Sequence, residues 1–421
     1  MISTPAGGAS PSRALRKTFL VLALAGIPGT AVAQETGRAT TNGGRLLSDA
    51  AQVSLVTIVP GDKVYSLFGH NALRVFDPER GIDIAYNYGT FDFGNPLVFA
   101  AKFGYGDLNY RLQRQNYRRM VAFYPAEEGR PLIEQILDLD PEQRQEVFRF
   151  LEWNAAPENA YYRYDFYYDN CATRIRDVLE DVLDANLLVT DEAPDVTMRQ
   201  LLDPYLVERS WLHFGMDAGQ GLPADAPATA RSELFLPDRL ADWAAAARVT
   251  GPGGERSLVS RTDSIGWPAE RPEPGPSPDW PAIVMAIVLA VVVWVTVLDF
   301  RQGRPGRLWF DVFMFLVLGV AGLLLGFLSF VSLHAVTRNN VNLLWALPTN
   351  LILASALARK VRRRWATGLL WVTAAAAALF VLGWALWSQE LPLATLPLGL
   401  AVAVRSAALA MGGRRNETVA A

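Results

Sequence analysis

The stretch YYRYDFYYDNCATRIRD, residues 161–177, contains the only cysteine among 421 residues. After Cys171, apolar residues recur at helical spacing and predict a helix that begins at the cysteine; they are Ile175, Val178, Leu179, Val182 and Leu183. Asn170 or Asp169 is the expected N-cap, because a short polar side chain can accept a hydrogen bond from the first free amides. A thiol there meets the positive end of the helix dipole and unpaired N–H groups, which favour the thiolate and can hold an oxyanion. The alternative is a buried cysteine that acts as a small apolar residue.

The N-terminus has the pattern of a secretory signal peptide, predicted over residues 1–33. Basic residues precede an apolar run at 19–27, and Ala31, Val32 and Ala33 offer small residues for cleavage before Gln34. An uncleaved anchor is the alternative. Residues 34–45 are polar and predict a flexible lead. No cysteine follows the cleavage site directly, so the protein is not expected to be a lipoprotein itself. In an oxidising compartment, a lone cysteine has no partner within its own chain and is a candidate reactive thiol.

Composition narrows the class of protein. A net charge of −3 gives no sign of nucleic-acid binding. The length and a mean hydropathy of +0.14 indicate more than one structural unit, one of them in a membrane.

Between the signal peptide and the cysteine, short apolar runs predict an antiparallel sheet. Strands are expected at 53–59, 72–76 and 82–88, joined by short turns. Residues 91–124 are aromatic and are predicted to be loop-like, whereas Asp140 and Pro141 mark a helix start. Further helices are expected at 198–206 and 234–247, with a Gly-rich loop at 211–225. The sequence thus predicts a soluble α+β domain over residues 46–265.

The C-terminal part predicts a membrane domain. Six prolines between 268 and 281 make residues 266–280 a semi-rigid linker. Five apolar segments follow, with lengths that suit a hydrocarbon core of about 30 Å; they are 281–298, 309–331, 341–358, 366–387 and 391–410. Arginine and lysine concentrate in alternate loops and in the tail at 412–421, so these are expected to be cytoplasmic and residues 34–280 periplasmic. Arg405, in the last segment, is expected to snorkel toward the cytoplasmic side.

Histidine is the natural base for a cysteine nucleophile, and the chain has only His70, His213 and His334. His70 precedes a predicted strand, where its side chain can point toward a packed helix terminus. A cysteine on a helix start, a histidine on a strand and a third polar group form the papain-like arrangement, here in permuted order. Asn87, on the neighbouring strand, is the first candidate for the third group and Asp92 the second. The alternative is that both are structural, because such residues are common at strand ends.

The motifs FGHNALRV (68–75), YNYGTFDF (86–93) and DNCATR (169–174) resemble the circularly permuted papain-like superfamily, which includes NlpC-like peptidases and lecithin:retinol acyltransferase. With a membrane-embedded C-terminal half, and with SLH (332–334) and NVNLL (340–344), the chain more closely resembles the Lnb-type bacterial lipoprotein N-acyltransferases. The resemblance implies that Cys171 attacks a membrane phospholipid ester to form a thioester. The acceptor would be the α-amino group of a diacylglyceryl-cysteine at a lipoprotein N-terminus, with His70 as base and then acid.

The remaining polar residues are not candidates for the catalytic steps. His334, Asn340 and Asn342 are expected at the outer end of the membrane segments, either as ligands for a lipid headgroup or the acceptor amine, or as a simple interfacial loop. His213 is expected to be a structural loop residue, with Asp217 and Asp225 bracing that loop. Neither a cofactor nor a metal is expected. The rival functions are a cysteine hydrolase of cell-wall peptides and a non-catalytic, membrane-anchored binding module.

Overall fold

The computed structural model describes residues 46–91, 94–184, 187–189, 192–251, 254–267, 277–303, 307–359 and 364–419. The predicted signal peptide, the lead, Asp92 and residues 268–276 of the predicted linker lie outside the described residues. We call residues 46–267 the sheet domain and residues 277–419 the helical domain. This division agrees with the predicted order of a sheet-rich part followed by a membrane-type part.

The sheet domain is built on a seven-stranded antiparallel sheet in the order β10-β5-β1-β2-β3-β4-β6. Its strands are β1 (Gln52–Ile58), β2 (His70–Asp77), β3 (Ile82–Thr90), β4 (Asn109–Asn116), β5 (Leu132–Leu137), β6 (Tyr161–Arg163) and β10 (Val259–Ile265). A small sheet has β7 (Leu187–Leu188), β8 (Arg248–Gly251) and β9 (Gly254–Ser257). The three predicted strands are confirmed as β1, β2 and β3.

Seven helices complete the sheet domain as the structure describes it. They are α1 (Pro96–Tyr105), α2 (Tyr117–Glu127), α3 (Pro141–Asn154), α4 (Cys171–Leu183), α5 (Asp203–Leu206), α6 (Ser210–Gly219) and α7 (Pro237–Ala246). The helix predicted to start at Cys171 is confirmed. Its apolar face packs into the main core, where Ile175, Leu179 and Leu183 are fully buried. This packing fixes the N-terminus of α4 against β2 and β3.

Two stretches predicted as loops have regular structure instead, because residues 94–124 form α1, β4 and most of α2, and residues 211–225 contain most of α6. In the first, Asn95 accepts hydrogen bonds from the amides of Leu97 and Val98, and Pro96 occupies the first turn, so α1 has a well-formed start. In the second, α6 replaces the expected Gly-rich loop. Its ten residues include only two glycines, Gly215 and Gly219, and the second is its last residue, where glycine interrupts little. Local glycine content therefore misled the prediction in both places.

In the part of the helical domain that the structure describes there are five α-helices, α8 (Trp280–Arg301), α9 (Leu308–Phe330), α10 (Asn350–Ala358), α11 (Arg364–Leu382) and α12 (Thr395–Val419). Within the described residues, four are long and apolar enough to cross a membrane: α8, α9, α11 and α12. The third predicted segment, 341–358, differs. It consists of a 3-10 turn at Val341–Leu344, an irregular stretch, and the nine-residue α10.

The irregular stretch before α10 packs directly on α9. A Cβ added to Gly322 of α9 would lie 2.2 Å from the carbonyl oxygen of Ala346, so only glycine permits this approach. Trp345, Ala346 and Asn350 are buried. Protein therefore covers this irregular backbone, which is the condition under which membrane proteins tolerate non-helical segments.

Arg405 is buried among helices and does not snorkel. Its side chain is 1% exposed, and its guanidinium donates hydrogen bonds to Asp299 of α8 and Asp311 of α9, at 2.6–3.1 Å. It also donates to the Thr296 hydroxyl at 3.1 Å. The prediction of snorkelling is wrong because it considered one helix alone, whereas the two carboxylates that neutralise Arg405 come from two other helices.

Replacing Arg405 by leucine is expected to destabilise the protein by about 3–5 kcal/mol, because Asp311 would remain buried without its cation and Asp299 would keep only the more exposed Arg307. The measurement is the thermal unfolding midpoint of the detergent-solubilised full chain. Arg414→Leu, which removes a charge from the end of the same helix, is the control. Equal midpoints for the two variants would contradict a structural role for the buried ion network.

The sheet domain is bonded to the helical domain at several places, and two of them involve residues that directly follow α9. We call residues 331–349 the joining loop. Behind α6, Asn340 donates to the carbonyl of Ala218 at 2.8 Å, and the amide of Gly221 donates to the carbonyl of Val336 at 2.8 Å. At the end of α1, the amide of Leu333 donates to the carbonyl of Tyr105 at 2.7 Å. The joining loop follows α9 directly, so both contacts lie at the same end of the helical domain.

Candidate active site

Cys171 occupies the first position of α4, and Asn170 is its N-cap. The side-chain oxygen of Asn170 accepts hydrogen bonds from the amides of Ala172 and Thr173 at 2.9 and 3.0 Å. Its amide group donates to the carbonyls of Phe166 and Phe235, both at 2.8 Å. Asn170 therefore anchors the start of the helix. Because its oxygen already engages those two amides, the first turn is less open to an oxyanion than the sequence suggested.

His70 begins β2, and its imidazole meets the thiol of Cys171. Gly69 makes the approach with φ +77°, a backbone conformation that favours glycine, and β2 then runs antiparallel between β1 and β3. The imidazole lies beside the thiol of Cys171, where its charge and its hydrogen-bonding capacity act on that thiol. Both side chains are only partly buried. The structure thus brings together the candidate nucleophile and the candidate base from positions 101 residues apart.

Asn87 of β3 contacts the far side of the His70 ring, where Nε2 donates to the Asn87 side-chain oxygen. The amide group of Asn87 donates in turn to the side-chain oxygen of Gln115 on β4, at 3.0 Å. This second bond orients the Asn87 amide with its oxygen toward His70. Since Nε2 is engaged by Asn87, Nδ1 is the nitrogen left for Cys171, as a cysteine–histidine–asparagine arrangement requires.

The pair is biased toward a thiolate and an imidazolium. Burial by itself raises the pKa of Cys171 and lowers that of His70, since it disfavours both charged forms. At Cys171, the imidazolium charge, its hydrogen bond and the amides of Asn71 and Ala172 outweigh burial, so its pKa is lowered from the usual 9.0. At His70, the thiolate and the hydrogen bonds with Cys171 and Asn87 raise the pKa above 6.5. The result is a nucleophile that is ionised more readily than an ordinary thiol.

A fourth group, the hydroxyl of Tyr162 on β6, faces the same space. A Cβ added to Gly89 would lie 3.7 Å from Cε1 of His70 and 3.9 Å from both Cβ of Cys171 and the Tyr162 hydroxyl. That hydroxyl is buried without a hydrogen-bond partner in the described part of the chain. Arg174 stacks over the ring with its guanidinium carbon 4.2 Å from the ring centre. A buried, unpaired donor beside a nucleophile can serve a developing negative charge.

Comparison with protein families identifies both domains. Residues 45–204 match the Lnb N-terminal periplasmic domain, and residues 276–415 match the Lnb transmembrane domain. The chain belongs to the Lnb family. It is therefore an inner-membrane protein whose N-terminal domain is periplasmic. Comparison with curated proteins and with solved structures gives no match.

The polar residues predicted at the outer membrane surface of this Lnb-family chain are placed differently from the expectation. Asn340 and Asn342 are buried, and both donate to the carbonyl of Ala218, so they join the domains and are not presented to a lipid or an amine. His334 donates from Nε2 to the carbonyl of Phe103 at 2.7 Å. All three therefore act on the protein's own backbone.

His213 lies on α6 and not on a loop. Its Nε2 contacts Asp203 at 3.0 Å and Asp217 at 3.3 Å. Burial raises the pKa of Asp217 to about 6. Asp225 accepts two hydrogen bonds from Arg199, at 2.8 and 3.0 Å, so it braces the turn after α6. Within the described residues, no cluster of histidine, cysteine and acidic side chains has the geometry of a metal site.

The sequence reading missed Tyr162, Gln115 and Gly89. Tyr162 belongs to the aromatic run at 161–168, in which the sequence by itself does not distinguish one ring from another. Alternation along β6 distinguishes it, because Tyr161 and Arg163 are exposed while Tyr162 is buried. That signal is visible only once the strand is known to be a sheet edge beside β4.

Proposed function

We propose that this protein is a cysteine-dependent lipoprotein N-acyltransferase of the periplasmic membrane surface. The observation that carries the proposal is the Cys171–His70–Asn87 arrangement, in a domain bonded to the outer end of a membrane-spanning part. A permuted papain-like fold for the sheet domain, with boundaries near 46 and 265, is part of the proposal. The proposal also includes a third membrane crossing, formed by the irregular stretch with α10, and a cytoplasmic C-terminus.

The position of the site supports lipid substrates. Leu67 and Tyr167, near His70 and Cys171 in sequence, share an apolar cluster with Val336 of the joining loop. Residues that flank the cysteine and the histidine in sequence therefore pack on the joining loop, which supports a site near the membrane surface. Both proposed substrates, a phospholipid and a diacylated lipoprotein, are held by the bilayer with their reactive groups at its surface. An enzyme fixed at that surface needs neither substrate to leave the membrane.

In the first step, the Cys171 thiolate attacks the ester carbonyl carbon of a phospholipid. A C–S bond forms, the negative charge moves to the carbonyl oxygen, and the ester C–O bond then breaks. The imidazolium of His70 gives its proton to the departing oxygen, so a lysophospholipid leaves. Asn87 holds the ring in the orientation that this proton transfer requires. The product on the enzyme is an acyl thioester of Cys171.

In the second step, the α-amino group of the lipoprotein's N-terminal diacylglyceryl-cysteine attacks the thioester carbon. His70, now neutral, takes a proton from the amine. An amide C–N bond forms and the C–S bond breaks, which regenerates the thiolate beside an imidazolium. The same two side chains thus serve both half-reactions, and no cofactor is required by this balance.

The Tyr162 hydroxyl is proposed to donate a hydrogen bond to the oxyanion in both steps. Tyr162→Phe is expected to lower the rate of thioester formation by about 100- to 1000-fold, as for loss of one oxyanion donor. The pH dependence of Cys171 alkylation should stay unchanged, because the imidazole still sets the thiolate. The measurement is single-turnover acylation by a labelled phospholipid. Tyr161→Phe, on the opposite face of the same strand, is the matched control, and equal rates for the two variants would exclude this role.

The test of the function is mass spectrometry of lipoproteins from a strain that lacks the gene. Loss of the N-linked acyl chain, restored by the intact gene, is the expected result. Altered cell-wall peptides with unchanged lipoproteins would instead identify a wall hydrolase. Full restoration by a Cys171→Ala gene would favour the non-catalytic binding module.

A further inference from the structure

Helix α1 has the composition of a core helix but the exposure of a surface helix. Its sequence is PLVFAAKFGY, with Lys102 as its only charged residue. None of its residues is buried, and the exposed fractions are 82% for Leu97, 53% for Val98 and 47% for Phe103. A ten-residue helix in water is marginal without tertiary packing of its apolar side chains. Something outside the described chain must therefore cover it.

The place of α1 in the fold indicates what that cover is. The last carbonyls of the helix are satisfied by residues that directly follow the spanning helix α9. Ser332 donates from its hydroxyl to the carbonyl of Gly104 at 2.8 Å, and His334 donates to Phe103. The backbone amide of Leu333 donates to Tyr105. The C-terminal end of α1 is thus fixed at the outer end of a helix that crosses the membrane.

The apolar surface of α1 continues that of α9. The rings of Tyr105 and Phe327 lie 6.5 Å apart, and Phe327 is one turn inside the end of α9. Phe330 and Val331, which follow it, are 77% and 53% exposed. Side chains with this exposure at the end of a spanning helix face lipid, because they would otherwise form an apolar patch in water. The exposed residues of α1 start at the same level.

We propose that α1 is an interfacial helix that lies in the outer leaflet of the membrane, with Leu97, Val98 and Phe103 in its hydrocarbon. A short helix with apolar side chains and a single lysine suits the boundary between headgroups and acyl chains. Phe99 stacks on Phe91 at 5.3 Å, and an aromatic row continues through Tyr110 to Tyr164 toward the active site. On the proposed function, α1 therefore lies where an acyl chain would enter.

The experiment places an environment-sensitive label on α1. The full chain carries Cys171→Ser, so that Leu97→Cys is its single thiol, and is labelled with NBD and reconstituted in phospholipid vesicles. The control is Glu79→Cys in the same background, because Glu79 is exposed in the turn at the opposite end of β2 from His70. Nitroxide-labelled lipids, with the nitroxide on the acyl chain, are then added as quenchers. Val98→Cys repeats the measurement if the first variant does not elute as a folded protein.

A blue-shifted emission at position 97, with lipid quenching several times stronger than at position 79, is expected. Water-like emission without quenching would overturn the proposal. Blue-shifted emission that lipid nitroxides do not quench would also overturn it, since protein, from a second copy or a partner, would then be the cover. The fluorescence measurement requires no catalysis, so it tests the position of α1 independently of the acyltransferase function.

Discussion

Replacing Cys171 by serine is expected to abolish N-acylation, with a loss of at least about 1000-fold in turnover. Serine keeps the size and the helix start but not the acidity. A hydroxyl beside His70 stays protonated where the thiol ionises, so the variant lacks an ionised nucleophile to accept the acyl group. The measurement is formation of the triacylated product from a diacylated lipopeptide in proteoliposomes, followed by mass spectrometry.

The same variant can also be tested by its ability to form the acyl-enzyme intermediate. Wild-type protein incubated with a labelled phospholipid and no acceptor should retain the acyl group on Cys171, and hydroxylamine should release it, as expected for a thioester. Cys171→Ser should retain none. Ser66→Ala, which changes a buried hydroxyl in the turn before His70, is a control for folding. A Cys171→Ser protein that still transfers acyl chains at the wild-type rate would show that Cys171 is not the nucleophile.

Replacing His70 by glutamine is expected to lower turnover by about 100- to 10,000-fold, the range for loss of a general acid–base group. Burial opposes the thiolate, and His70 is the main group that reverses this effect. Without the imidazolium, the pKa of Cys171 should rise. Alkylation of Cys171 by iodoacetamide, which follows the thiolate, should therefore shift to higher pH.

The direction of the shift in the alkylation profile distinguishes a changed pKa of Cys171 from a loss of folding. In the wild type, the pKa of Cys171 is lowered from the usual 9.0 and that of His70 is raised above 6.5, because each group stabilises the charged form of the other. A His70→Gln protein that is folded but alkylates at higher pH fits the proposed pair. Asn87→Ala should give a smaller loss of turnover, because the ring loses its orientation but keeps its partner. An unchanged alkylation profile in His70→Gln would contradict contact between the two groups.

Local sequence patterns were sufficient to predict the helix and the strands that position the site residues. The apolar spacing after Cys171 predicted α4, and short apolar runs joined by turns predicted β1, β2 and β3, because these signals are properties of short segments. Long apolar stretches predicted five spanning segments, and four of them are helices able to span a membrane, whereas 341–358 is not one continuous helix. The same kind of reasoning failed for α1 and α6, where glycines suggested loops and the composition was not decisive.

The sequence by itself determined which side chains exist to do chemistry: one thiol, three imidazoles and a helix that starts at the thiol. Only the tertiary structure decided which of them meet, since the contacts of His70 with Cys171, of Asn87 with Gln115, and of Arg405 with Asp299 and Asp311 join distant segments. Periodicity reports how one segment faces its surroundings, but it does not report what those surroundings are. The partner of a buried polar group is set by packing between elements, and so it appears only when the chain is folded.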